Sequence, residues 1–216
     1  VVTYFSMFAQ LGIPTYGIRA CAQVRDNKEE LTRTVQEIML INLMTCVIVY
    51  IVFGIAINVV PQFRAEKTLF LIMGSMILFN AIGVEWLYKG LEQYSYITVR
   101  SIIFKGIALV AMFLLIRDKH AYAIYGAITI LASVGSNLLN FLNLRRYVSL
   151  KLAGKLDLRR HMKPISIFFA MSVATTIYTN MDNVMIGFIK GTTENGYYDA
   201  AIRIKNILVS FVTSLG

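Results

Sequence analysis

Ile38–Phe63 reads IMLINLMTCVIVYIVFGIAINVVPQF, twenty-six residues without one charged side chain. Thr68–Val84, Ala121–Leu144 and Pro164–Met181 are uncharged in the same way. About 20 apolar residues, each rising about 1.5 Å, cross a hydrocarbon layer about 30 Å thick. A soluble domain does not repeat that pattern. The chain therefore reads as an all-α membrane protein, a polytopic helical bundle.

Working outward, seven segments can be placed: Val1 to about Ala22, Glu37–Val60, Thr68 to about Tyr88, Ile97–Ile116, Ala121–Leu144, Pro164–Ile189, and one beginning near Tyr197. The alternating segments of about 10 residues that a membrane β-barrel needs are absent. Asp26 and Asn27 ahead of Glu29 and Glu30 predict a capped helical lead-in to the second segment. Pro14, in Gly12-Ile13-Pro14, predicts a kink in the first. Val1 and Gly216 both lie in apolar sequence, so the chain is expected to be a piece of a longer protein.

Of 216 residues, 57% are hydrophobic and 15% charged, which excludes a disordered chain. The net charge of +9 would suggest nucleic acid in a soluble protein. Here no basic stripe interleaved with aromatics lies outside the apolar segments, so anionic lipid is the better partner. The loops and helix ends after segments one, three and five carry Arg19, Arg25, Lys28, Arg33, Lys89, Arg100, Lys105, Arg145, Arg146, Lys151, Lys155, Arg159, Arg160 and Lys163. The alternate loops carry only Arg64, Lys67, Arg117, Lys119 and Lys190. Basic residues are retained on the cytoplasmic side, so residue 1 is expected outside.

Cys21 and Cys46 form no framework, and His120 and His161 sit in loops without partners at metal spacing. No metal, cofactor, phosphate loop or nucleophile with its base is readable, so no catalytic residue is assigned and the chain is not read as an enzyme.

Charges and amides within the last two segments need a reason, because a charge at mid-bilayer costs about 2.5–3.5 kcal/mol. Ser172, Thr175, Thr176, Thr179, Asn180, Asp182 and Asn183 fall within about 160° of one helical face. Asp199, Arg203, Asn206, Ser210, Thr213 and Ser214 share a narrower stripe of about 100°. Two readings stay open: a polar seam in which Asp182 or Asp199 neutralises Arg203, or a water-filled cavity, which the number of polar residues favours. Lys105 either snorkels or lines that cavity. Glu85, four residues before Lys89, reads as local helix support.

Four stretches carry a family resemblance. They are Tyr4-Phe5 with Gly12-Ile13-Pro14-Thr15-Tyr16-Gly17-Ile18-Arg19; Glu85-Trp86-Leu87-Tyr88-Lys89-Gly90-Leu91-Glu92-Gln93-Tyr94 continuing to Ile97, Arg100, Ser101 and Lys105; Asp182-Asn183-Val184-Met185-Ile186-Gly187; and Gly196-Tyr197-Tyr198-Asp199-Ala200-Ala201-Ile202-Arg203-Ile204. Together they resemble bacterial polysaccharide flippases (Wzx-type) of the MOP exporter superfamily. The resemblance implies a MATE-like fold of two lobes and twelve to fourteen helices, of which about seven, helices two through eight, are here. Residues 1–147 would be an N-terminal lobe lacking its first helix, 148–163 a cytoplasmic linker, and 164–216 the start of the second lobe. It further implies a multi-pass protein of the bacterial cytoplasmic (inner) membrane that moves undecaprenyl-pyrophosphate-linked oligosaccharide units, with polysaccharide polymerase and chain-length proteins as partners.

On that basis Arg19, Arg203 and Lys105 are candidates for the pyrophosphate or sugar acids, since guanidinium matches phosphate as a fork. Thr179, Asn180 and Asn183 would serve sugar hydroxyls, and Asp182 would couple an ion or orient an arginine. A multidrug–cation antiporter of the same superfamily is the second reading, but it calls for acids to dominate the cavity. A membrane-embedded glycan-modifying enzyme or scaffold is the third, and it lacks a cluster of titratable groups.

Overall fold

A computed structural model describes residues 2–65, 67–116, 122–149, 151, 154 and 156–213. Arg117, Lys119, His120 and Lys155 lie outside the described residues, as does Ser214. Every described element is helical: α1 (Val2–Gln10), α2 (Ile13–Gln23), α3 (Lys28–Val59), α4 (Pro61–Ala65), α5 (Lys67–Ile82), α6 (Glu85–Gly90), α7 (Tyr94–Leu115), α8 (Tyr122–Ile130), α9 (Asn137–Asn143), α10 (Arg159–Ile189) and α11 (Thr192–Thr213). A π-helical turn, Leu131–Gly135, joins α8 to α9, and a 3-10 turn, Leu144–Arg146, follows α9.

Among the described residues, four stretches are long and apolar enough to cross a membrane: Lys28–Val59, Lys67–Gly90, Tyr94–Leu115 and Ala123–Arg146. Their outward residues are apolar. Val47, Ile48, Ile51, Val52 and Ile55 on α3 are exposed, as are Ile102, Ile107, Val110 and Phe113 on α7. In water such surfaces would aggregate; hydrocarbon is the solvent they fit. The first segment misses that measure because it is two short helices. The last two miss it because of the polar residues already noted. The chain is thus a multi-pass all-α membrane protein.

The residues divide into two compact units, 1–170 and 171–216. In the first, α2 packs on α6 and α3, α1 on α3 and α5, and α5 on α8. α3 is its spine: 32 residues, about 48 Å at the helical rise. Asn27 caps it, accepting the Glu29 and Glu30 amides on its side-chain oxygen at 3.1 and 3.2 Å, as the Asn-x-Glu-Glu pattern predicts. Along this spine lie two separate apolar cores. One gathers Ile13, Tyr16, Cys21, Leu31, Val35, Ile38, Trp86, Leu87, Tyr88, Leu144 and Ile165. The other gathers Val2, Ala9, Cys46, Phe53, Ile57, Ile77 and Ala81.

Between the cores the helices are broken, which corrects the expected kink at Pro14 and adds interruptions to the third and fifth segments. The first segment is not kinked at Pro14. It stops at Leu11 (φ +44°) and Gly12 (φ +73°), and Pro14 sits in the first turn of α2, where no amide is needed. The third stops at Gly83–Val84, with Val84 at φ +38°, a conformation a β-branched residue rarely takes. The fifth is interrupted by the π turn. Broken helices leave carbonyls unpaired, and hydrocarbon cannot satisfy them. Side chains do so here. Thr45 Oγ1 donates to the Ala9 carbonyl (2.7 Å), Asn42 Nδ2 to Ala81 (3.0 Å) and Asn140 Nδ2 to Gly83 (2.7 Å).

In the second unit, α10 and α11 are joined by Tyr198, whose hydroxyl donates to Asp182 at 2.9 Å. Hydroxyls of the two stripes turn back on their own helices: Thr175 onto Met171, Ser210 onto Asn206 and Thr213 onto Val209. Local pairing of this kind makes Ser and Thr tolerable in a membrane helix.

Candidate functional site

The charged residues inside unit one collect in two places. At one end, Glu37 is fully buried. It accepts Arg33 Nε at 3.1 Å, the Asp157 amide at 2.7 Å, Arg160 Nε at 2.7 Å and His161 Nε2 at 2.8 Å. Tyr16 reaches the other ring nitrogen of His161 at 2.6 Å. Burial pushes the His161 imidazole below its ordinary range, against the pull of Glu37. A neutral ring facing a carboxylate carries its proton on Nε2, so Nδ1 accepts from the Tyr16 hydroxyl. The 3.2 Å approach of Arg160 Nε to His161 Nε2 then sets two donors face to face. The Arg160 proton belongs to Glu37. His161 does not sit in a loop, the place expected for it from sequence. It stands in the first turn of α10 with an acid from 124 positions earlier. Among the described residues no group of three His, Cys, Asp or Glu side chains could hold a metal.

The second place lies between the two cores. Glu85 is shared: one oxygen takes Lys89 Nζ at 2.8 Å, the other Arg100 at 2.9 Å. Arg100 is buried to 3% exposure and continues to Asn137 Oδ1 at 3.2 Å. Asn137 reaches Asn80 (3.4 Å), and Asn80 reaches Ser6 (3.1 Å), which also takes Gln10 (3.1 Å). This polar chain runs past all three helix breaks. Beside it is a cavity of about 130 Å³ lined by Gln10, Asn80, Glu85, Trp86, Lys89 and Asn137. The Trp86 ring lies against Gly17, where a Cβ would come within 2.6 Å of it. The Glu85–Lys89 pair is thus more than local helix support. The overlooked signal was Arg100, a charge inside an apolar run that requires a partner.

The residues singled out from sequence are placed otherwise. Arg19 and Lys105 are exposed on α2 and α7. Thr179 and Asp182 are exposed on α10, Asn183 is half-buried, and the Asn180 side chain lies outside the described residues. Arg203 is 71% exposed and paired with Asp199 at 2.9 Å, one of the two acids the seam reading named. Tyr198, not an arginine, meets Asp182.

The described residues form a helical membrane bundle with broken helices, buried ion pairs and polar stripes. The sequence model of the family described as "Polysaccharide biosynthesis protein" matches residues 1–216, and the chain belongs to that family. It is also 24% identical over 210 residues to the "Putative O-antigen transporter" of Escherichia coli (strain K12), covering 95% of this chain and 50% of the relative. The chain thus spans about half the length of that curated relative. No solved structure gives a significant match.

Proposed function

We propose that this chain belongs to a flippase that carries undecaprenyl-pyrophosphate-linked oligosaccharides from the inner to the outer leaflet of the bacterial cytoplasmic membrane. The observation that carries this reading is the family match over the whole chain. The polar stripes of α10 and α11 and the resemblance to an O-antigen transporter support it. The physical task is to pass an anionic pyrophosphate and polar sugars through hydrocarbon while the lipid tail stays in the bilayer. Arg19, Arg203 and Lys105 meet the anion; Thr179, Asn180 and Asn183 meet hydroxyls; Asp182 couples an ion. Two lobes rock about the site, by analogy with transporters built on repeats. Polymerase and chain-length proteins take the product onward.

In an export-deficient strain, Arg203→Ala and Arg19→Ala should each cut surface polysaccharide about ten-fold, the order expected when a charge-assisted hydrogen bond of about 1.5–3 kcal/mol is lost. Membrane abundance should hold. Arg203→Lys should recover only part, because an ammonium cannot fork to phosphate. Normal export by both alanine variants would remove the arginines from the mechanism.

The direction of transport depends on orientation, read from the distribution of Lys and Arg. A cysteine at Arg64 should react with an impermeant thiol reagent on intact cells. One at Lys151 should react only after permeabilisation. Native Cys21 and Cys46 are buried and give little background. The opposite labelling would invert the topology.

A further inference from the structure

We propose that His161 is a proton-binding site that works as a latch: the neutral ring leaves Arg160 and Asp157 fastened to Glu37 of α3, and a proton on the ring expels Arg160 and frees that segment. The first ground is the way the ring is wedged. It is 3% exposed. Its Nε2 meets Glu37 at 2.8 Å and its Nδ1 meets the Tyr16 hydroxyl at 2.6 Å. Tyr16 and Glu37 are themselves buried. A neutral ring satisfies both contacts, donating to Glu37 and accepting from Tyr16. A second ring proton can enter only at Nδ1, where Tyr16 already donates. The hydroxyl must then turn to accept, and its own proton loses its acceptor.

The second ground is charge. The ring is faced by Tyr16 from α2, Arg33 and Glu37 from α3, Asp157 from the residues ahead of α10, and Arg160 from α10 itself. Two arginines balance two carboxylates while His161 is neutral. A proton on the ring leaves one positive charge in excess where water barely reaches. Buried charges are otherwise paired. The Arg160 Nε lies 3.2 Å from His161 Nε2, so a charged ring and the guanidinium would compete at close range for the same carboxylate. Burial already holds the imidazole below its ordinary range, and Arg160 adds to that effect against the pull of Glu37.

The third ground decides which cation yields. The Arg160 side chain is 33% exposed and that of His161 is 3% exposed. The guanidinium can swing into water and the imidazole cannot. A charged His161 therefore keeps Glu37, and Arg160 leaves. Its departure breaks the bonds of Nε to Glu37 (2.7 Å) and of Nη2 to Thr34 (3.1 Å). The Asp157 amide, three residues earlier, sits on the same carboxylate at 2.7 Å and loses its neighbour's support.

The closed latch binds fewer protons than the open one, whose solvated ring titrates near the ordinary value of about 6.5. Closure is therefore fully favoured above about pH 6.5 and weakens as pH falls below it, by at most about ten-fold per pH unit for one proton. On the orientation proposed above the latch faces the cytoplasm, and acid on that side opens it. The latch does not depend on which cargo the protein carries.

The sequence holds two histidines. In a His120→Gln background, isotope-labelled histidine gives one imidazole signal, and NMR of the purified protein in neutral detergent follows its titration. A spin label on Arg159→Cys, an exposed position in the first turn of α10, reports motion of the segment; native Cys21 and Cys46 are buried. The ring should titrate below about pH 6.5, and the label should become mobile over the same pH range. His161→Gln keeps a neutral donor toward Glu37 and should stay closed throughout. Arg160→Gln should raise the titration midpoint by about one pH unit or more, the size a like charge close by imposes. It should also abolish the mobility step, since the segment no longer has a charge to expel. A purely structural histidine gives no such coupling. The proposal is overturned if the ring titrates at or above its ordinary value, if the label is unmoved while the ring titrates, or if Arg160→Gln leaves both midpoint and step unchanged. Opening of His161→Gln with the wild-type pH dependence would overturn it equally; should that variant not accumulate, Arg160→Gln decides. Loss of export with this coupling intact would defeat the flippase reading alone.

Discussion

Glu37→Ala should leave little folded protein in the membrane. The carboxylate is fully buried and holds Arg33, Arg160, His161 and the Asp157 amide together. Removing one member of a buried charge network costs about 3–5 kcal/mol. Arg33 and Arg160 are 40% and 33% exposed and can turn partly to water, which places the cost at the lower end. Even about 3 kcal/mol is a large share of a total stability of about 5–15 kcal/mol. Gln36 also binds the Ser149 and Lys151 carbonyls, so Ser149, Lys151, Asp157 and Arg160 are all tied to α3 at this spot. Protease cleavage within 145–160 should rise in Glu37→Ala and rise less in Glu37→Gln, which keeps the shape and loses the charge. Wild-type abundance and cleavage in the alanine variant would show that the network contributes nothing.

Gly12→Ala should destabilise the protein by a similar amount for a different reason. At φ +73° a side chain is strained. An added Cβ would also lie 2.5 Å from the Phe169 nitrogen and 2.6 Å from the Phe168 carbonyl carbon. These are backbone atoms of α10 and cannot rotate aside. Left-handed strain of about 1–2 kcal/mol adds to overpacking of about 1–3 kcal/mol. Gly17→Ala should cost less, because its collision is with the Trp86 ring. Thermal unfolding of the two variants in one detergent tests the ranking. Gly12→Ala unfolding at or above the temperature of Gly17→Ala would contradict the close approach of α2 and α10.

The uncharged runs, the Asn27 cap and the placement of most helices were legible along the chain because each is a local property. Hydrocarbon length counts residues, and a cap needs only its neighbours two and three positions on. The helix breaks were not legible. Leu11 and Val84 have no intrinsic preference for a left-handed backbone, and Gly12 and Gly83 beside them permit a break without dictating that the neighbour takes it. They adopt it because Thr45, Asn42 and Asn140, from other helices, satisfy the carbonyls around the breaks. The same holds for the buried charges. Glu37 and His161 are 124 positions apart, and Arg100 meets Glu85 across the α6–α7 turn. The sequence by itself determined that this protein lives in a membrane as a bundle of helices, since burial in lipid depends on composition alone. Which helices break, which charges pair and where a polar cavity opens was decided only by the tertiary structure, because each requires a partner that distant sequence brings within hydrogen-bonding range.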